Sequence, residues 1–193
     1  DVIRMGALHQ VLVQLVAERV SIADMATILE SVVNHAAQVK DPDELTARVR
    51  EDLGRTICDR FRDEEGKLRV LILEPRLEIQ LREAVRERHL MLGPGPLERL
   101  LASLSKHWQS AVRQRLEIAV LTDRSLRRPL RQAVLRALPE LGIVSYSEVP
   151  GDVFIEPIEM IRAEDVFEPA EMVRAGAAPA GNDGAGGKEP AVA

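Results

Sequence analysis

Residues 68–75, Leu68-Arg69-Val70-Leu71-Ile72-Leu73-Glu74-Pro75, mark the point where the pattern of the chain changes. An aliphatic run of strand length, with β-branched Val70 and Ile72, closes on a proline that cannot donate to a sheet ladder. Downstream of it the periodicity alternates. Leu77, Leu81, Ala84 and Val85 give a short helix, and His89–Leu92 a short strand. Gly93-Pro94-Gly95-Pro96 is a turn and helix start, after which Leu97, Leu100, Leu101, Leu104, Trp108 and Val112 trace one face of a long helix. Ile118–Leu121 predicts a strand, Ser125–Leu138 a helix and Ile143–Tyr146 another strand. Val153–Ile161 is extended, and Pro157 places it at a sheet edge. Alternating strands and helices predict an α/β unit over residues 66–162 with a mixed, at least partly parallel sheet.

Upstream, residues 1–65 carry helical periodicity only. Ala7, Leu8, Val11, Leu12, Leu15 and Val16 form one apolar stripe. Ser21 is positioned to cap a second helix, with Asp24 three residues on and Ile22, Met25, Ala26, Leu29, Val32 and Val33 facing inward. Asp41-Pro42-Asp43-Glu44 is a third start: a carboxylate to accept orphan N–H groups, proline in the first turn, and acids at the positive dipole end. Leu45, Val49, Leu53, Ile57 and Phe61 continue it at steps of four. The fold class is therefore α+β, a three-helix subdomain followed by the α/β subdomain.

The 193 residues are 46% hydrophobic but contain only five aromatic side chains, so the core must be aliphatic. The net charge of −5 is uneven: residues 163–193 hold six acids and two bases, net −4, leaving −1 for residues 1–162. That last stretch is rich in Gly and Ala and reads as a flexible acidic tail, although Ala163–Arg174 could also form a short docked helix. A chain starting at Asp1 without Met suggests an excised piece. A single cysteine, Cys58, excludes an internal disulfide, and no apolar run reaches the roughly 18 residues of a membrane span.

No catalytic, cofactor or metal constellation is legible. His9, His35, His89 and His107 lack ligand spacing, and Gly93-Pro94-Gly95-Pro96 lacks the Gly-Lys-Ser/Thr of a phosphate loop. The sharpest local feature is Arg124, Arg127, Arg128, Arg131 and Arg136, with no acid between Arg124 and Leu138. Leu126, Leu130, Val134, Leu135 and Leu138 supply the apolar side, so the arginines are expected on an exposed rim. Positive charge near a helix N-terminus opposes the macrodipole, which points to a carboxylate-rich partner. A solvated basic face pairing with Glu117 or Glu140 is the plain alternative, and a nucleic-acid-binding module built on residues 124–136 is another.

Several blocks together resemble the type III secretion export-gate family, flagellar and injectisome. Glu18-Arg19-Val20-Ser21-Ile22-Ala23-Asp24-Met25-Ala26-Thr27-Ile28-Leu29-Glu30 is similar to the family's R-V-S-I-R-D-L-x-T-I-L-E. Lys40-Asp41-Pro42-Asp43-Glu44-Leu45-Thr46-Ala47-Arg48-Val49-Arg50 resembles K-D-P-x-x-L-T-E-x-V-R. Ser125–Arg131, Leu138–Leu141 and Val144–Pro150 follow in the family's order, and Phe154–Ile158 leans toward the injectisome branch.

The resemblance implies a non-enzymatic C-terminal part of the gate's cytosolic region, with no cofactor. It implies a homo-oligomeric, nonameric ring at the cytoplasmic face of the bacterial inner membrane, docking export substrates, their chaperones and ATPase-complex components. Membrane attachment would come only through an N-terminal domain outside this chain, and nucleic acid is not an expected partner. The interaction residues it suggests are Asp24, Glu30, Asp41, Arg48, Arg50, Arg127, Arg128 and Arg131.

Overall fold

Leu68–Leu73 forms the strand its composition predicts, and its alternation explains why the molecule has three layers. Leu68 and Val70 point to one apolar cluster, Leu71 and Leu73 to another. A strand buried on both faces must be covered on both. The computed structural model describes residues 5–168. In it the helices are α1 (Met5–Ala17), α2 (Met25–Ala36), α3 (Pro42–Asp52), α4 (Gly54–Asp59), α5 (Pro75–Glu83), α6 (Pro94–Arg113) and α7 (Arg124–Val134). The strands are β1 (Leu68–Leu73), β2 (Val85–Arg86), β3 (His89–Leu90), β4 (Ala119–Thr122), β5 (Gly142–Ser145) and β6 (Ile155–Ile161).

The main sheet has the order β5-β4-β1-β6 and is parallel throughout; the antiparallel component is the separate β2–β3 ribbon. β6 is an edge strand, and the register shifts beside Pro157. Leu77 and Leu81 of α5, Leu100 and Leu104 of α6, and Leu126, Leu130 and Val134 of α7 cover one face. Leu8, Val11 and Leu15 of α1, Ile28 and Val32 of α2, and Leu45 and Val49 of α3 cover the other, against Val70, Leu121 and Val144. Each fully buried aliphatic side chain contributes about 1.5–3 kcal/mol. The helical part thus uses one face of the sheet as its floor and shares the second of these apolar clusters with it.

Several boundaries differ from the sequence reading. The third helix breaks at Leu53 into α3 and α4, although Leu45, Val49, Leu53, Ile57 and Phe61 are all buried as the spacing requires. Asp24 rather than Ser21 caps α2, accepting from the Thr27 amide at 3.1 Å. Val16, Ile22 and Val33, expected in the apolar stripes, instead lie exposed. Asp41 and Pro42 open α3 as expected, the carboxylate accepting from the Asp43 amide. The folded unit also extends past 162: Ala163 and Val166 are buried in the sheet–helix core, whereas the remaining tail residues, 169–193, lie outside the described ones.

The turn Tyr146–Glu148, which follows β5 and begins the crossing to β6, packs against α3 and α4. At Gly54 a Cβ would stand 2.1 Å from the Glu148 carbonyl oxygen, a backbone atom that cannot swing away. Gly54→Ala is therefore expected to lower unfolding free energy by roughly 1–3 kcal/mol, as overpacked cores do. Urea denaturation checks it; an unchanged midpoint would show that α4 and this turn are not in rigid contact.

Candidate functional site

Between the helical layer and α7 lies a cluster of charge that the hydrophobic pattern does not announce. Arg50, on the last turn of α3, is 2% exposed, and its Nε donates to Glu148 Oε1 at 2.6 Å while its Nη2 donates to Oε2 at 3.2 Å. Its Nη1 stands 3.1 Å from Glu18, just beyond α1. From the opposite side Arg127 of α7 donates to both Glu18 oxygens, at 2.5 and 3.4 Å, and its Nε lies 3.5 Å from Glu148. Arg131, one turn further on, donates to the carbonyls of Leu138, Pro139 and Leu141. Three guanidiniums thus enclose two carboxylates.

Local backbone geometry explains why these side chains point inward. Glu148 accepts from the Ser145 amide at 2.9 Å, a reciprocal cap that fixes its carboxylate as β5 ends. Burial disfavours ionised Glu18, but Arg50 and Arg127 outweigh it and hold its carboxyl below the ordinary 4.5. Burial also works against Arg50, and the two glutamates overcome it, raising its pKa. Arg131 moves down, because burial comes first and Arg19, Arg127 and Arg50 add repulsion against the attraction of Glu18.

A second, more exposed seam runs along the rim. Arg88, in the β2–β3 turn, contacts Asp41 at 2.5 Å and Asp43 at 3.1 Å; Arg128 also bonds Asp43. Arg124 reaches Glu44 at 2.5 Å and Glu51 at 2.8 Å. Arg48 lies between the same two glutamates, 3.3 Å from each. Glu87 and Arg88 both have positive φ, 47° and 67°, the geometry of a tight hairpin turn usually given to Asn or Gly.

The arginine rim expected on α7 is therefore corrected. Arg127 and Arg131 are buried, and Arg124 and Arg128 are half-buried in ion pairs. The carboxylate-rich partner is internal: Glu18 beyond α1, and Asp43, Glu44 and Glu51 of α3. Glu117 and Glu140 pair instead with Arg60 and Arg19. The helix begins at Arg124 with Asp123 as its cap, so Pro129 lies beyond the first turn and leaves one internal bond unmade. Of the other named residues, Asp24, which caps α2, and Glu30 on α2 are exposed and take no part in this cluster's ion pairs. Glu18 and Glu148 lie inside the quoted blocks, yet nothing local distinguishes a glutamate whose partner lies 98 or 109 residues away. No group of three or more metal-ligating side chains exists among the described residues.

A parallel sheet packed on a helical group, the two joined by buried ion pairs, defines an α/β module whose most buried charges pair with one another. The chain belongs to the FHIPEP family, whose model matches residues 1–153. It is 36% identical over 148 residues to the flagellar biosynthesis protein FlhA of Yersinia enterocolitica, covering 77% of this chain and 21% of that protein. The chain thus spans about a fifth of the length of the curated relatives it matches. Among solved structures it is similar to Chlamydia pneumoniae CdsV in complex with CdsO, at 26% identity and TM-score 0.68, covering 82% of this chain and 48% of that one. It is also similar to the nonameric EscV cytosolic domain from a type III secretion system, at 25% identity and TM-score 0.68, covering 81% and 47%. No helix among the described residues is long and apolar enough to cross a membrane.

Removing one partner of a buried pair leaves the other charge uncompensated, which costs roughly 3–5 kcal/mol. Glu148→Gln should destabilise by that order, and Asp43→Asn on the rim by well under half as much; urea titration of both variants distinguishes the seams. Equal losses would mean that the inner cluster is not a dry ion-pair network.

Glu18 adds a pH signature. Its folded pKa is depressed, so its contribution is complete above its ordinary 4.5 and is lost as pH falls through the lower folded value. The protein should lose stability in that acid window more steeply than Glu18→Gln, as read by thermal melts across pH; parallel curves would contradict it.

Proposed function

We propose that this chain is the C-terminal portion of the cytosolic region of a type III secretion export gate. In this reading it is one subunit of a homo-oligomeric ring at the cytoplasmic face of the inner membrane, which docks export substrates with their chaperones and a component of the ATPase complex. The observation that carries it is the match of one fold to a family model over residues 1–153 and to a nonameric cytosolic domain. The complex of CdsV with CdsO supports a partner beyond the ring itself. Curated sequence relatives are flagellar, while the solved neighbours support the injectisome branch. No catalytic role enters this reading.

Of the eight residues suggested by the resemblance, we assign direct contact with a neighbouring subunit to Asp24 and Glu30, which are exposed on α2. Asp41, Arg50, Arg127 and Arg128 pair across elements of the same subunit, Arg48 pairs within α3, and Arg131 braces the segment after α7. The nucleic-acid reading loses its basis, because four of the five arginines of residues 124–136 are buried or engaged with acids or backbone carbonyls.

The test is analytical ultracentrifugation of the whole cytosolic region of the parent protein across a concentration series. Concentration-dependent assembly into a closed ring is expected, weakened several-fold by Asp24→Arg with Glu30→Arg and insensitive to duplex DNA. A strict monomer at high concentration would overturn the ring, and an unaltered assembly in the double variant would overturn the assignment of α2.

A further inference from the structure

The cluster has three buried guanidiniums and two carboxylates, so it carries one positive charge in excess. That excess resides at Arg131. Its hydrogen bonds go to neutral carbonyls, and no carboxylate lies within ion-pair distance of it among the described residues. An uncompensated buried cation is expensive in a folded protein unless something else neutralises it.

Beside this charge is a cavity of about 280 Å³, walled by Arg131, Arg50 and Glu18 on its inner side. Val20, Ile57, Phe61 and Ile143 line the rest, with Arg19 and Arg60 toward solvent. The rim arginines are already paired, Arg19 with Glu140 at 2.8 Å and Arg60 with Glu117 at 2.8 Å, so they add no second free cation. The lowered pKa of Arg131 agrees with a cation lacking its counter-charge.

We propose that this cavity is a binding site for one carboxylate carried on a short aliphatic or aromatic body. A monoanion balances the single excess charge, which a phosphate dianion would overshoot. Guanidinium matches a carboxylate's two oxygens, and the Val20, Ile57, Phe61 and Ile143 side chains give the attached hydrocarbon a dry wall. The carboxylate can come from a free organic acid or from a glutamate or aspartate side chain with an apolar neighbour in a protein segment. The site stands independently of the export-gate reading.

The test uses the full chain, 15N-labelled, titrated with 4-methylpentanoate and in parallel with 4-methylpentanamide at constant ionic strength. Saturable shifts of the Gly142, Ile143 and Val144 amides are expected with the acid, with a dissociation constant on the order of 1 mM. The amide should produce none. Arg131→Gln should abolish binding; because this residue also braces the turn after α7, Thr56→Phe, which fills the cavity from its wall without touching the charges, serves as the second variant. A blocked Leu-Glu dipeptide distinguishes the sources: binding tenfold tighter than the free acid assigns a protein side chain, weaker binding a free acid. Absence of saturable shifts, equal binding of the amide, or undiminished binding in Thr56→Phe would overturn the site.

Discussion

The chelation of Glu148 by Arg50 is the constraint on which the rest of the architecture depends. Apolar contact between the helical layer and the sheet, through residues such as Val49, Leu121 and Val144, is non-directional and would tolerate sliding. Two hydrogen bonds from one buried guanidinium to one buried carboxylate do not tolerate it. The pair adds little net stability over an apolar substitute, because both ions had to leave water. What it adds is a single allowed register of α3 on the turn after β5. The close approach of Gly54 to the Glu148 carbonyl follows from that register, as does the Cys58 thiol donating to the same oxygen.

The two seams differ in kind because they differ in exposure to water. Along the rim, Arg88 and Arg48 are more than one-third exposed, so salt screens their attraction to the acids of α3 and each pair contributes little. At the inner seam Arg50, Arg127 and Glu148 are almost wholly enclosed, and screening hardly reaches them. Arg124, in the first turn of α7, opposes the helix dipole at a cost of about 0.3–1 kcal/mol. Glu44 and Glu51 sit close enough to offset it. The basic helix and the acidic start of α3 are thus two halves of one internal match.

Elements whose signals are local were legible in the sequence. Leu68–Leu73 declared a strand, Asp41-Pro42 a helix start, Gly93-Pro94 another, and Pro157 an edge strand. The break at Leu53 was not legible, since Leu45, Val49, Leu53, Ile57 and Phe61 keep a four-residue spacing straight across it. The cap at Asp24 was mistaken for Ser21 because both residue types satisfy the same rule. The sequence places Arg127 and Arg131 on an exposed rim for a physical reason: amphipathic patterning assigns charge to the outer face, and only tertiary pairing can reverse that. Their carboxylate neighbours, Glu18 and Glu148, lie in distant segments and are unremarkable where they stand.

For a ring of identical subunits, an internal clasp of this kind has a direct geometric consequence. A cyclic assembly closes only if every interface repeats the same rotation, so an angular error within one subunit is copied at each step. A helical layer held to the sheet by apolar contact alone would allow small rotations about the sheet normal, and nine repeats, as in the EscV ring, would multiply them. Directional ion pairs remove that freedom at its origin. The exposed Asp24 and Glu30 of α2 are then presented at a fixed angle to the sheet and to α7 on its far side. In the ring proposed above, Asp24 and Glu30 would meet a neighbour from a frame that Arg50, Arg127, Glu18 and Glu148 have already fixed.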